Sequence, residues 1–140
     1  MNMQSFFSPT YEYFLDKVDY THKTKSSDNT AYALNCADNI STRIVEDSKL
    51  QVTISRSLEF SPDDLYTLSV SFVVVLTILD GKKDELLSIK DLSFELAKGG
   101  QFFLADIISR MSSLISNITA SYGQPPVITP PVIAVPATIQ

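Results

Sequence analysis

Residues 50–60 alternate. Leu50, Val52, Ile54, Leu58 and Phe60 share one parity, interrupted only by Arg56, while Gln51, Thr53, Ser55, Ser57 and Glu59 share the other. Successive strand side chains point to opposite faces, so this period of two predicts a half-buried antiparallel strand. Ser61-Pro62-Asp63-Asp64 supplies turn residues. Residues 65–79 then form a second, longer strand pattern, with Tyr66, Leu68, Val70, Phe72, Val74, Leu76 and Ile78 on one apolar face. The opposite face begins with Thr67, Ser69 and Ser71 and turns apolar at Val73 and Val75, a change of character expected at a contact between subunits. Upstream, the aromatic-rich residues 11–20 alternate imperfectly and read as a first strand. Residues 21–30 read as an exposed loop, and 32–40 are ambiguous. Asp80-Gly81 predicts a hairpin turn, followed by a returning strand over 86–96 whose parity switches at Lys90-Asp91, as at a β-bulge.

The period changes after Gly99-Gly100. Phe103, Leu104, Ile107, Ile108, Met111, Leu114, Ile115 and Ile118 mark one helix face; Asp106, Ser109, Arg110, Ser113, Ser116 and Asn117 mark the other. Gly123 stands where a left-handed C-terminal cap is usual, and Pro125, Pro126, Pro130 and Pro131 forbid further helix. The predicted fold class is therefore α+β: a four-stranded antiparallel sheet, a long C-terminal helix laid on it, and a Pro-rich extended tail over 124–140.

Composition adjusts this picture in three ways. The 140 residues, 44% hydrophobic and 19% charged, suit one globular domain spanning 1–140 and not a disordered chain. A net charge of −5 and basic residues confined to small groups such as Lys82-Lys83 exclude a phosphate-reading surface, so no nucleic-acid partner is expected. The single cysteine, Cys36, cannot make an internal disulfide, and no apolar run is long enough to span a bilayer; a cytoplasmic chain without membrane insertion is expected.

No charged residue follows Arg110. So long an uncharged end is either buried by the chain's own sheet or kept for a partner: an oligomer whose helices pack across subunits, or an apolar client. The sequence holds no phosphate loop, HExxH or GxSxG, and its one histidine, His22, has no neighbouring catalytic partner. No catalytic residue, cofactor or metal is expected.

The stretch Pro62-Asp63-Asp64-Leu65-Tyr66-Thr67-Leu68, leading into a Val-rich strand, resembles the turn and third strand of SecB-type export chaperones. Ser112-Ser113-Leu114-Ile115-Ser116-Asn117-Ile118-Thr119, then Tyr122-Gly123-Gln124-Pro125-Pro126-Val127, is similar to the end of that family's helix and the tail after it. The resemblance spans residues 44–133, with 1–40 matching poorly, and rests on the joint order of short motifs. It implies ATP-independent binding of unfolded polypeptides along apolar grooves by a homodimer or homotetramer, with a translocase motor or a toxin–antitoxin component as further partner. Leu50, Val52 and Ile54 correspond to strand residues that line such a groove; Val73, Val75, Ile107, Met111 and Leu114 are the expected oligomer contacts. Asp at position 52 is then expected to weaken client binding more than folding. A small ligand-binding or hot-dog-like enzyme and an assembly scaffold are the alternatives from other classes.

Overall fold

The computed structural model describes residues 2–24, 31–123 and 125–133. The expected loop residues 25–30 and tail residues 124 and 134–140 lie outside the described residues. Four antiparallel strands form one sheet: β1 (Phe7–His22), β2 (Ala33–Val45), β3 (Lys49–Ser61) and β4 (Tyr66–Ile78), ordered β1-β4-β3-β2. Three helices follow: α1 (Lys83–Leu87), α2 (Leu92–Gly99) and α3 (Gln101–Ser121). The α+β plan with a long C-terminal helix is as the hydrophobic pattern predicts.

Two elements differ from expectation. Residues 86–96 are not a returning strand. Asp91 accepts the Phe94 amide at 3.1 Å and caps the N-terminus of α2, and Leu92 and Leu96 then lie one helical turn apart. The apparent parity switch at Lys90-Asp91 is thus a helix start. Residues within the ambiguous 32–40 supply the missing strand, β2. Its hairpin to β3 turns through Glu46 and Asp47, both in the left-handed region at φ 48° and 53°. No glycine or asparagine announces that turn, which is why the pattern leaves it undetected.

One register places Leu50, Val52, Ile54 and Leu58 of β3 opposite Leu76, Val74, Phe72 and Leu68 of β4, on the face that α3 covers. Phe103, Leu104, Ile107, Ile108, Met111 and Ile115 close this core from the helix side. α3 runs about 30 Å along β1: Tyr11 contacts Phe103 near its start and Tyr20 stacks on Tyr122 at its end. The α2–α3 junction needs Gly100, where a Cβ would stand 2.5 Å from the Leu96 carbonyl oxygen. Gly123, at φ +78°, follows the helix as its predicted left-handed cap. Among the described residues the second sheet face carries no helix; Gln51, Thr53, Ser55, Ser57, Ser69 and Ser71 lie on it beside Val73 and Val75.

Candidate functional site

The residues expected to form a groove and an interface divide between the two sheet faces. Leu50, Val52 and Ile54 are buried, at 1%, 0% and 0% exposure, in the core cluster that includes the side chains of α3. Ile107 and Met111 belong to that core at 0% exposure, and Leu114 packs half-buried at its margin. Val73 and Val75 point to the open face, where Val73 is covered at 3% exposure between its register neighbours Phe14 and Thr53. Val75 is half-buried.

Exposed apolar surface lies elsewhere. Among the described residues β1 pairs with β4 along one side only, so the other edge of this sixteen-residue strand is open. Along it Tyr13, Phe14, Leu15 and Val18 are 38%, 51%, 48% and 41% exposed. Three consecutive large apolar residues cannot all face the core, because alternate side chains leave by opposite faces. That run was the available sequence signal. The flank beside it is fixed by polar contacts: Tyr11 donates to Asp106 at 3.3 Å, Arg110 donates to Asp106 at 3.1 Å, and the Arg110 guanidinium lies 4.7 Å from the Tyr13 ring centre. Burial, followed by the charge and hydrogen bond of Asp106, raises the Tyr11 hydroxyl above its ordinary pKa.

A second apolar strip crosses the far end of the sheet. Tyr122 stacks on Tyr20 at 4.6 Å, Tyr20 on Tyr66 at 5.4 Å, Tyr66 meets Phe60 edge-on at 4.9 Å, and Phe60 meets Tyr32 at 6.3 Å. Such offset and edge-to-face arrangements are favourable beyond their burial. Tyr122 at one end and Leu34, which pairs with Phe60, are exposed. Neither end was legible, since the row gathers residues from five separate parts of the chain.

An open cleft of about 820 Å³ is lined by Phe6, Ser88, Ile89, Lys90 and Phe94 with carboxylates at Glu85, Asp91 and Glu95. Among the described residues no three His, Cys, Asp or Glu side chains are grouped to hold a metal ion. His22 ends β1 opposite Tyr66. Cys36 faces Leu58, and burial raises its thiol pKa, with Arg56 opposing and Asp38 adding to the shift. No helix among the described residues is long and apolar enough to cross a membrane. What the geometry offers chemically is backbone pairing at an open strand edge beside apolar and aromatic side chains.

No protein-family model and no curated protein sequence matches the chain. Among solved structures it is similar to the SecB-like chaperone Rv1957 of Mycobacterium tuberculosis, solved in complex with a ChAD peptide from the Rv1956 HigA1 antitoxin. That match has a TM-score of 0.63 at 13% identity and covers 85% of this chain and 86% of that one. A protein of unknown function from Streptococcus agalactiae aligns with a TM-score of 0.38 at 12% identity, over 86% and 95% of the two chains. The first likeness shows a SecB-like fold.

Proposed function

We propose that this chain is an ATP-independent chaperone that holds unfolded polypeptide in extended form, acting in the cytoplasm as a dimer or tetramer. One observation carries the proposal: a SecB-like fold that leaves large apolar side chains exposed along an unpaired edge strand about 50 Å long. Extended chains bind such edges by backbone pairing and by side-chain contacts at alternate positions, without a catalytic group. The aromatic row adds exposed apolar side chains at its two ends, Tyr122 beside Tyr20 of β1 and Leu34 on the opposite edge strand. In the isolated chain Leu50, Val52 and Ile54 lie beneath α3, so they would meet a client only through movement of that helix. Val75 and Leu114 are the residues we assign to contact between copies, which leaves the β1 edge to the client.

The peptide bound to the mycobacterial neighbour favours a narrower version, in which the client is a segment of an antitoxin. An apolar antitoxin-type peptide is therefore the first client to try. The test combines light scattering with suppression of client aggregation in the absence of nucleotide. A dimer or tetramer that suppresses aggregation at near-stoichiometric ratio supports the proposal. A monomer without effect, or open assemblies larger than a tetramer, overturns it in favour of the ligand-binding or scaffold reading.

A further inference from the structure

Arg56 sits in the middle of β3, on the face otherwise occupied by Leu50, Val52, Ile54 and Leu58, and is 0% exposed. A buried guanidinium is tolerated only where its donors are matched. On one side Asp38 of β2 takes two of them in a bidentate pair, Nε to Oδ1 at 2.7 Å and Nη2 to Oδ2 at 2.8 Å. The other donors do not go to the sheet. Nη1 reaches the Thr129 hydroxyl at 2.8 Å, the Pro130 carbonyl at 2.7 Å and the Ser112 hydroxyl of α3 at 3.1 Å, while Nη2 reaches the Val132 carbonyl at 2.9 Å.

Residues 125–133 are thus held as a bound peptide is held. Among the described residues they make no backbone–backbone hydrogen bond to a helix or strand. Their ties are to side chains: those to Arg56, one between the Ser112 and Thr129 hydroxyls at 2.9 Å, one from the Ser112 hydroxyl to the Pro130 carbonyl at 3.4 Å, and one from the Val127 amide to the Thr119 hydroxyl at 2.9 Å. Val127 and Ile133 pack against the core, Thr129 is buried, and Ile128 and Val132 are 79% and 61% exposed. Ile133 ends in a small pocket with Ile40, Phe94 and Ala97.

We propose that Arg56, Ser112 and Thr119 form a peptide-binding site that the chain's own residues 127–133 occupy in cis. Its ligand is an extended, uncharged segment with an aliphatic residue, then Thr-Pro, then a second aliphatic residue, presenting two carbonyls to Arg56. A segment of this kind supplied in trans exchanges with the tail. The site is separate from the β1 edge and stands whether or not the chain suppresses aggregation.

The test uses the full chain and a fluorophore-labelled synthetic peptide of residues 125–133, read by anisotropy. Covalent tethering gives the resident tail a high effective concentration, so the wild-type chain binds the peptide weakly. Thr129→Ala in the chain removes a hydrogen bond to a charged donor and is expected to tighten trans binding about tenfold or more. Ile133→Ala, loosening the other end, acts in the same direction. Adding Ser112→Ala to the Thr129→Ala chain, which has already lost the resident Ser112–Thr129 bond, or replacing the peptide's own threonine by valine, is expected to undo most of the gain. Absence of saturable binding to both loosened chains overturns the proposal, as does binding indifferent to Ser112→Ala and to the peptide's threonine.

Discussion

β3 and β1 are both rich in large apolar residues, yet they put them to opposite use. β3 has β4 on one side, β2 on the other and α3 above, so Leu50, Val52, Ile54 and Leu58 are covered to 1% exposure or less. β1 has a neighbour on one side only, and its alternation breaks at Leu15/Lys17, where the pairing register shifts. The side chains of Tyr13, Phe14, Leu15 and Val18 consequently reach solvent. The cleanest hydrophobic pattern marks the core; the irregular one marks exposed apolar surface.

Substitution can break this contrast. The largest effect belongs to Val52→Asp, which places a carboxylate where exposure is 0%. Burying an unpaired charge costs several kcal/mol, so the variant is expected to lose its cooperative unfolding transition, whereas Leu15→Asp keeps it. This reverses the order expected from sequence, in which position 52 affects client binding before folding. A Val52→Asp chain with normal circular dichroism and thermal unfolding would show that β3 is not core.

Next is the ion pair between β3 and β2. Arg56→Leu removes the bidentate cation from buried Asp38 and is expected to cost about 3–5 kcal/mol in urea unfolding. Arg56→Leu combined with Asp38→Leu should recover much of that loss. A double variant no more stable than the single one would contradict the buried pairing.

Smaller in stability but larger in function, Phe14→Ser and Leu15→Ser, each about half exposed, should each cost about 1 kcal/mol of unfolding free energy. Both should lower aggregation suppression several-fold; unchanged suppression would remove β1 from the proposed surface.

The smallest effect concerns pH. The Cys36 thiol and the Tyr11 and Tyr66 hydroxyls are raised above their ordinary 9.0 and 10.0, chiefly by burial. The folded chain therefore holds these protons more tightly than the unfolded one. Their stabilising contribution is complete below the ordinary values and declines as pH rises past them. Melting temperature should fall between pH 8.5 and 11 (assay range set by about one to two units around those values), and Cys36→Ala should flatten the first part of the fall.

β3, β4 and α3 were legible in sequence because each has a long, regular apolar face. β2 was not, because it is an edge strand whose core face includes Asp38 and Cys36, and whose open face carries Asn35, Ala37, Asn39 and Ser41. The segment 86–96 misled because the leucines that serve a short helix also mimic strand parity. Arg56 appeared only as an interruption in an apolar row; its partners lie eighteen residues upstream in Asp38 and far downstream in Ser112 and the tail. The exposed surface of β1 depends on which strand has a single neighbour, and that is a property of topology rather than of local pattern.

The strand order has a consequence for biosynthesis. β2, β3 and β4 can zip together as successive hairpins as soon as each is made, but Phe7 must find Ile78, and β1 stays unpaired until β4 has left the ribosome. At roughly 5–20 residues per second, this aromatic N-terminal segment spends seconds as a bare, extended, aggregation-prone ribbon. During each round of translation the nascent chain briefly resembles the substrates we propose the finished protein protects.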